Sequence, residues 1–474
     1  MKLTFWGAAR QVTGSTFLLE LDDDYRILID CGMFMDNNPE SKPEPLYRGA
    51  LFPFDASMVN VTLLTHAHLD HSGNIPNLYR DGYEGQVLCT NPTMQLAEIL
   101  LMDSAKINRK KLHKYHKRKA KGINIKPHFE PGELYVEKDV KNALDFFVPI
   151  GFNKEFKLTK TASVTFIPTG HLLGAANILI RVQENDREKT ILFSGDVGRN
   201  DYPLLPDPMT NTQVDYLVCE TTYGNREHQS TEDTEEELEK VIMETCIDIP
   251  GRLIIPAFSI GRTQAILYTL NKISKSKGLP PIKVYSDSPM AHSSNQVYER
   301  NLQHLNGEAR AFKTEHGELF DFENLIFIED GKASKALANH AEPCVIISSS
   351  GMMSGGRIQH HIKSNISNPY CTVFIVGYCA EGTLGRELLD GKKSLKIGKE
   401  EVTVSARILH TDAFSGHGDR NDLLRFVNCQ LPAATQKVFL VHGEPQAMDD
   451  FKEDLMQIGF EHIETPEIGE SFEL

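Results

Sequence analysis

The sequence lacks several features that would place it in a specialised class of protein. No run of about 18 or more apolar residues occurs among its 474 residues, so we expect no membrane-spanning helix. The first residues alternate apolar and polar side chains instead of joining a basic stretch to an apolar one, so we expect no secretory signal peptide. The eight cysteines are scattered without a Cys-x-x-Cys pair, which argues against zinc-knuckle and redox motifs and favours a reducing, cytoplasmic location.

Positive charge is scarce overall but concentrated in one segment. The chain has 50 Lys and Arg against 65 Asp and Glu, a net charge of −15, which argues mildly against nucleic acid as a partner. Ten Lys and Arg nevertheless occur between Ser104 and His128, where there is no Asp or Glu. The segment Lys106 to Lys126 is therefore interpreted either as a solvated helix face or as a surface that follows phosphates.

The pattern of apolar runs changes along the chain. Its length predicts two or three domains. The first 200 residues contain short strand-like runs separated by turns, which predict packed sheets and not a βαβ winding; the runs are 2–6, 15–21, 25–29, 59–65, 163–168, 178–182 and 189–193. From about Asp215, strands alternate with helices, which indicates parallel βαβ units. The predicted elements there are helices 231–246 and 263–276 and strands 252–256, 282–285, 325–328, 345–348 and 372–376. After Gly385 the pattern returns to strand and turn, with a closing helix near 446–458, so the middle segment is interpreted as an inserted domain.

Three histidines and one aspartate directly follow an apolar strand, in the order His66-Ala-His68-Leu-Asp70-His71. Each polar group that is buried without a partner costs about 1–3 kcal/mol. Metal ligation removes this cost, and imidazole together with carboxylate suits Zn²⁺. Because no cysteine takes part, the cluster predicts a catalytic rather than a structural metal site.

One short loop cannot supply all the ligands of two ions. His171, Asp196 and His442 each follow an apolar strand and have a glycine nearby, so they are candidates for the missing ligands. Taken singly, each would more often be a packed or capping residue.

Together these motifs resemble the metallo-β-lactamase superfamily, and within it the β-CASP branch of RNA-processing nucleases related to the polyadenylation cleavage subunit. Asp30 in Leu-Ile-Asp-Cys-Gly matches the first superfamily motif, and His66 to His71, His171 and Asp196 match the second, third and fourth. Glu220 in Cys-Glu-Thr-Thr-Tyr-Gly, His417 in Phe-Ser-Gly-His-Gly-Asp and His442 resemble motifs A, B and C of the branch. The resemblance covers essentially the whole chain. It implies an α/β fold, a metallo-β-lactamase αββα sandwich (residues 1–215 and 386–474) with an inserted Rossmann-like β-CASP domain (216–385).

The resemblance also implies a ligand set and catalytic roles. Two Zn²⁺ per chain are expected, although the ligand types also tolerate Mn²⁺ or Fe. One ion would be held by His66, His68 and His171, the other by Asp70, His71 and His442, with Asp196 as the bridge. A hydroxide activated by both metals would attack a phosphodiester. Asp30 would orient a ligand, and Asp70 would be a catalytic residue as well as a ligand. Glu220 would pair with His417, which would protonate the leaving oxygen.

The inserted segment contributes candidate substrate contacts. Ser349, Ser350 and Gly351 belong to a Gly- and Ser-rich loop whose backbone amides could form an anion nest, and Arg357 follows it. A flexible turn is the simpler interpretation of such a loop. Arg262, in a segment that resembles a cleft-lining part of the family, is expected to contact an RNA backbone; a salt bridge at a helix start is the alternative.

These expectations combine into one function and two alternatives. The function is a zinc-dependent ribonuclease that hydrolyses RNA phosphodiester bonds, with internal cleavage of single-stranded RNA as the expected mode. The alternatives are a small-substrate metallo-hydrolase of the thioesterase or lactamase type and an inactive RNA-binding scaffold. RNA is the expected partner, no membrane partner is expected, and the resemblance also allows a homodimer. The RNA target, an exonucleolytic mode and activity on single-stranded DNA stay open.

Overall fold

The computed structural model describes residues 1–21, 25–34, 42–122, 130–184, 187–209, 212–228, 234–380, 382–398 and 400–474. The chain divides into two compact units. Unit 1 comprises Met1–Asn200, Asp207–Glu227 and His417–Leu474, and unit 2 comprises Asp201–Pro206 and His228–Gly416. The domain limits expected from the sequence, 215/216 and 385/386, stay predictions. Within the described residues, no helix is both long enough and apolar enough to cross a membrane.

Unit 1 contains two seven-stranded sheets. The first has the strand order β22-β1-β2-β3-β4-β5-β6 and the second β21-β20-β11-β10-β9-β8-β7. The strands of the first sheet are β1 (Lys2–Phe5), β2 (Phe17–Glu20), β3 (Arg26–Ile29), β4 (Val61–Leu63), β5 (Gln86–Thr90), β6 (Phe147–Ile150) and β22 (Ser471–Glu473). Those of the second are β7 (Glu155–Lys157), β8 (Ala162–Pro168), β9 (Ala176–Glu184), β10 (Arg187–Phe193), β11 (Tyr216–Glu220), β20 (Lys437–Val441) and β21 (Ile463–Glu464).

The main core of unit 1 lies between these two sheets. Buried side chains from β1 to β5 meet buried side chains from β8 to β11 and β20, and Phe5 contacts both Phe17 and Phe439, with ring centroids 5.7 and 5.2 Å apart. Strands that are buried on both faces read as continuous apolar runs, as Val218 and its neighbours in β11 do.

Helices cover both outer faces of the two sheets. They are α1 (Leu69–Ser72), α2 (Ile75–Arg80), α3 (Asn91–Lys119), α4 (Glu137–Leu144), α12 (Arg420–Val427) and α13 (Pro445–Gln457). Phe426 of α12 and Phe451 of α13 pack against Leu217 and Val438 of the second sheet, and α3 contacts β5 and β6 of the first. The αββα sandwich expected from the resemblance is therefore confirmed.

Unit 2 is a parallel sheet with helices in its connections. Its strand order is β14-β13-β15-β12-β16-β19, and all neighbouring pairs are parallel. Its strands are β12 (Arg252–Pro256), β13 (Lys283–Asp287), β14 (Leu325–Phe327), β15 (Cys344–Ser348), β16 (Cys371–Ile375) and β19 (Arg407–His410), with β17 (Ser394–Ile397) and β18 (Glu400–Thr403) as a separate hairpin. Its helices are α5 (Thr234–Ile242), α6 (Arg262–Ser276), α7 (Pro289–Arg300), α8 (Gly307–His316), α9 (Gly331–Ala338), α10 (Ile358–Asn365) and α11 (Leu384–Leu389).

The structure corrects one expectation about elements and gives the described limits of a second. Unit 1 does contain a parallel winding, because β3, β4, β5 and β6 are parallel neighbours with helices between them. The central strands β4 and β5 are almost wholly buried, so their sequences do not alternate between apolar and polar residues. Such sequences do not distinguish a strand of a packed antiparallel sheet from a strand of a parallel βαβ winding. The acidic helix expected at 231–246 begins outside the described residues; the structure shows α5 and then a π-helical turn, Met243–Asp248.

Candidate metal centre

The candidate ligands follow the carboxyl ends of strands from both sheets of unit 1. On the first sheet, Asp30 follows β3 and the His66-to-His71 loop follows β4. On the second sheet, the residues at or just after strand ends are His171 (β8), Asp196 (β10), Glu220 (β11) and His442 (β20). Because β3 and β4 are parallel, as are β10, β11 and β20, these ends meet along one edge of each sheet.

A glycine allows the loop His66 to His71 to approach the loop after β3. The Ser15 amide donates to the Asp70 carbonyl over 2.8 Å, and the Cys31 amide donates to the His71 carbonyl over 2.7 Å. A Cβ atom at Gly32 would lie 1.7 Å from the Asp70 carbonyl oxygen. Only glycine therefore fits at this position, and the two loops are held together by their backbones.

Three histidines and one aspartate form the first ligand group. His68 Nδ1 lies 3.1 Å from His66 Nε2 and 3.2 Å from His171 Nε2. Asp196 Oδ2 lies 3.4 Å from each of the same two Nε2 atoms. One ligand atom from each of the four residues falls within 4.8 Å of the others. Four acceptors that converge in this way fit a cation.

The second ligand group is formed by Asp70, His71 and His442. His71 Nε2 lies 3.3 Å from His442 Nε2, which is 3.6 Å from Asp70 Oδ2. The other oxygen of Asp196, Oδ1, lies 3.2 Å from His71 Nε2. The carboxylate of Asp196 therefore lies between the two groups and directs one oxygen to each.

The state of Asp196 Oδ1 tests whether these residues fit a metal. The oxygen is buried, and it accepts no hydrogen bond of acceptable geometry from the described residues. A buried carboxylate oxygen without a hydrogen bond is costly, and coordination to a cation removes that cost. The donor set, imidazole nitrogen with carboxylate oxygen and no thiolate, suits zinc.

Three neighbouring side chains orient the imidazoles. His71 Nδ1 lies 2.7 Å from Asp30 Oδ2, so Nδ1 carries the proton and Nε2 presents a lone pair. Thr222 Oγ1 lies 2.9 Å from His442 Nδ1 and also donates to the His442 carbonyl over 3.1 Å. Thr65 Oγ1 lies 3.1 Å from His66 Nδ1. In each case the outer nitrogen is fixed and Nε2 faces the ligand group.

Burial keeps part of the ligand set neutral. It lowers the pKa of His66 well below its usual range, helped by the charge of His71, and it lowers the pKa of His68 to about 4. Neutral imidazole is the form that binds metal. Burial also disfavours the charged form of His71, but Asp196 and Asp30 outweigh it and raise its pKa. A proton therefore competes with a metal at His71.

A third group joins Asp196 to Glu220 and His417. His417 Nδ1 lies 3.2 and 3.3 Å from the two Glu220 oxygens, and its Nε2 lies 3.8 Å from Asp196 Oδ2. Glu220 is fully buried and accepts hydrogen bonds from the Val197 and Thr222 amides, whereas the His417 side chain is 21% exposed. Burial lowers the pKa of His417, but Glu220 and Asp196 raise it to about 9 overall. His417 is therefore an accessible imidazolium beside the ligand groups.

Comparison with known proteins gives matches along most of the chain. Residues 18–197 match the metallo-beta-lactamase superfamily domain, 263–388 the Beta-Casp domain, and 401–466 the Zn-dependent metallo-hydrolase RNA specificity domain. A ribonuclease of Thermus thermophilus is 34% identical over 448 residues, which cover 94% of each protein. The chain belongs to the β-CASP branch of the metallo-β-lactamase superfamily.

One further relative and one solved structure also match the chain. A transcription termination factor of Methanosarcina mazei is 30% identical over 460 residues, which cover 95% of this chain and 68% of that protein. The crystal structure of a protein of unknown function from Enterococcus faecalis V583 matches with a TM-score of 0.52 and 15% identity over 99% of each chain, which supports the fold alone.

In the β-CASP member described here, the predicted substrate contacts lie in unit 2. Arg262 begins α6; its Nε donates to the Phe414 carbonyl over 3.2 Å, and its guanidinium lies over the Phe258 ring at 4.9 Å. A Cβ atom at Gly351 would lie 3.2 Å from Arg262 Nη1, so the structure brings these two predicted contacts together. Their role toward a substrate stays a prediction.

The remaining predicted contacts take part in local structure. The Ser350 amide and hydroxyl both donate to the Gly355 carbonyl, and the Ser349 carbonyl accepts from the Ile358 amide. Arg357 Nη1 lies 2.7 Å from Asp287 Oδ1 and donates to the Ile328 carbonyl, and Nη2 donates to the Glu329 carbonyl. The Arg357 guanidinium is thus held by unit 2 itself, and its expected phosphate contact stays a prediction.

Three side chains were not predicted from the sequence. Thr65 and Thr222 orient candidate ligand histidines, and Asp287 holds Arg357. Thr65 and Thr222 immediately adjoin or closely follow predicted site residues, but threonine is common at strand ends and carries no specific signal. Their positions beside His66 and Glu220 were the only available hint.

Proposed function

We propose that the protein is a zinc-dependent ribonuclease that cleaves single-stranded RNA internally by hydrolysing phosphodiester bonds. The observation that carries the proposal is the position of Asp196 between two candidate ligand groups, with the imidazole of His417 next to it. A relative aligned over 94% of this chain is named a ribonuclease, and residues 401–466 match a domain described as an RNA specificity domain. These matches favour RNA over a small thioester or lactam as the substrate.

The ligand residues position the reaction. When bound, a metal pair supplies Lewis-acid activation of water and of a phosphodiester oxygen at neutral pH. Asp196 fixes the spacing of the two groups, because each of its oxygens faces one of them. Asp30 holds the Nδ1 proton of His71, and Thr222 holds Nδ1 of His442, so both Nε2 atoms keep the orientation that ligation needs.

His417 supplies the proton for the leaving group. Hydrolysis expels a ribose alkoxide, which leaves slowly unless it is protonated. The Nδ1–H of His417 donates a hydrogen bond to Glu220, which stabilises the charged ring, so the proton to be transferred sits on Nε2, on the side of Asp196. The resulting alcohol departs with that proton, and His417 is recharged from water.

Several finer features belong to the same proposal. Two zinc ions per chain are proposed because the donors form two groups, although Mn²⁺ or Fe also suits imidazole and carboxylate. A homodimer and a cytoplasmic location stay predictions, which sedimentation and cell fractionation would check.

The test is cleavage of a 5′-labelled single-stranded RNA by zinc-loaded protein, with products sized on a denaturing gel. His68→Ala removes a ligand and His417→Ala removes the proton donor. His462→Ala is the matched control, because His462 is an exposed histidine of unit 1 remote in sequence from the ligand motifs.

Internal fragments from the wild type and His462→Ala are expected, with none from His68→Ala. We expect His417→Ala to lose about 10²- to 10⁴-fold in rate, as for other general acids. Release of labelled mononucleotide alone would replace internal cleavage by a 5′-exonucleolytic mode. Intact RNA with every protein would overturn the proposal, and inhibition of a chromogenic ester assay by RNA would then test for a small-substrate enzyme.

A further inference from the structure

Helix α3 changes character half-way along its length. From Asn91 to Asn108 the helix packs on unit 1, and Leu101, Ala105 and Asn108 are among its buried side chains. After Asn108 no residue of the helix is buried, yet the helix continues to Lys119. About three helical turns therefore extend without a core to pack against.

This second half carries an unbalanced positive charge. From Lys106 to Lys119 the helix bears eight Lys and Arg and no Asp or Glu, and Lys121 follows just after its end; the last basic residue of the segment, Lys126, lies outside the described residues. Arg109 pairs with Glu137 of α4 at 3.1 Å. Among the described residues, no carboxylate lies within ion-pair distance of the other eight; they are Lys106, Lys110, Lys111, Lys114, Lys117, Arg118, Lys119 and Lys121.

The spacing of the charges gathers most of them on one side. Lys106, Lys110, Lys114 and Lys117 are four, four and three residues apart, so they share a helix face, opposite the face that buries Leu101. Like charges at this spacing repel and weaken the helix. The helix dipole stabilises positively charged side chains only in the last turn, so it does not offset the repulsion at Lys106 and Lys110. Folding alone therefore gives no reason for this row of lysines.

We propose that the exposed face of α3 from Lys106 to Lys121, termed the basic face, binds the phosphate backbone of RNA outside the cleavage site. Charge complementarity selects the occupant: a row of lysines one turn apart follows a polyanion. A membrane surface would require an apolar band on the same stretch, and Ile107 is its only strongly exposed large apolar residue. The proposal rests on the proposed function for its choice of RNA.

The anchoring of α3 relates the basic face to the metal centre. At the start of the helix, Thr90 and Thr93 both donate to the Gly174 carbonyl, three residues after His171, and α1, which carries Asp70 and His71, contacts α3. Lys106 lies about 23 Å further along the helix axis than Asn91, at 1.5 Å per residue. The basic face therefore begins about 23 Å along the helix from the end of α3 that is anchored beside the ligand loops.

The test compares two triple variants with the same change in charge. Lys110→Gln, Lys114→Gln and Lys117→Gln neutralise the basic face, whereas Lys154→Gln, Lys157→Gln and Lys160→Gln neutralise exposed lysines elsewhere in unit 1. Both are made in a His417→Ala background, and binding of a labelled single-stranded RNA of about 20 nucleotides is measured by anisotropy from 50 to 300 mM salt. A Lys→Arg triple at 110, 114 and 117 checks that charge, not side-chain identity, is responsible, and thermal unfolding checks the fold of each variant.

We expect the basic-face variant to bind RNA about 10²-fold more weakly at 50 mM salt, with the difference shrinking to about threefold at 300 mM. Its plot of log affinity against log salt should be shallower by about 2, because each phosphate contact on a single strand contributes about 0.7. The control triple and the Lys→Arg triple should match the parent. Equal affinity and slope for both Gln triples would overturn the proposal, as would binding of phosphatidylserine vesicles that depends on these lysines when RNA binding does not.

Cleavage by the protein with native His417 separates this proposal from the function on which it rests. If RNA is cut but its binding is independent of the basic face, the basic face fails and the ribonuclease stands. If RNA binds through the basic face but is never cut, the ribonuclease fails and the basic face stands.

Discussion

Asp30 and His442 hold left-handed backbone conformations, with φ of +57° and +50°, which side chains other than glycine rarely adopt. Hydrogen bonds with neighbouring segments hold both residues in this conformation. The Asp30 amide donates to the Leu63 carbonyl while its carboxylate accepts from the Thr65 amide and hydroxyl, and the His442 amide donates to the Ala8 carbonyl. These hydrogen bonds to neighbouring loops thus offset the local backbone strain at Asp30 and His442.

Replacement of Asp30 by Asn tests its orienting role. Asn tolerates a left-handed backbone and still accepts from the Thr65 amide, so the change removes mainly the carboxylate opposite His71 Nδ1. We expect zinc affinity to fall about 10- to 100-fold, as measured by competition with a chromogenic chelator. Asp55→Asn, an exposed residue of unit 1, should leave the affinity unchanged; equal affinity for all three proteins would contradict the assigned role.

The site shows which residues local sequence can reveal. His66, His68, Asp70 and His71 lie within six residues, so their spacing alone predicts a metal site. His442 lies 371 residues from the His71 nitrogen that it approaches at 3.3 Å, and only the family resemblance indicated that pairing. Thr222 could not be predicted, because its function depends on the rotamer that brings Oγ1 to His442.

At the scale of elements, Asp287 joins three parts of unit 2. This fully buried residue ends β13, and its carboxylate lies 2.6 Å from Ser334 Oγ of α9, 2.7 Å from His361 Nε2 of α10 and 2.7 Å from Arg357 Nη1 at the start of α10. Sequence reasoning could not assign Arg357 to this partner, because 70 residues separate them. Burial alone would raise the pKa of Asp287, but hydrogen bonds from His361, Ser334 and Arg357 lower it below its usual value.

Removal of this carboxylate should destabilise unit 2. Asp287→Ala removes the acceptor of the buried Ser334 hydroxyl and His361 Nε2, together with the ion pair to Arg357, which keeps its two carbonyl acceptors. We therefore expect the free energy of unfolding to fall by about 3–5 kcal/mol in urea denaturation. Asp321→Ala, at an exposed position, should change it by less than about 0.5 kcal/mol. Folding lowers the pKa of the Asp287 carboxyl. Its contribution to the free energy of unfolding is therefore fully present above its unfolded-state pKa and is lost as the pH falls through the lower folded-state pKa. A stability that is insensitive to Asp287→Ala would show that water replaces the carboxylate at no cost.

Strand positions were largely predictable, and strand pairings were not. The apolar runs at 252–256 and 163–168 correspond to β12 and β8 within one residue. The edge pairing of β22 with β1 joins residues almost a whole chain apart, through main-chain hydrogen bonds that leave no pattern in either segment.

At the scale of the whole molecule, all the candidate metal ligands described above lie in unit 1. Metal binding should therefore stabilise that unit and leave unit 2 unaffected. At a free zinc concentration 100 to 1,000 times the dissociation constant, the gain is about 2.7–4.1 kcal/mol. Chelation should lower the unfolding temperature of unit 1, and amide exchange should rise around β4 and β10 but not in β12 and β15. Equal loss of protection in both units would contradict this assignment.

The wide separation of the ligands has a consequence for synthesis of the protein. The first group is complete once Asp196 has been made, but the second requires His442, which follows the unit 2 segment His228–Gly416, and β1 gains its partner β22 only at Ser471–Glu473. A nascent chain that has been made as far as Gly416 therefore contains every residue of the first candidate ligand group but lacks one residue of the second. Unit 2 is thus synthesised before the second group can form.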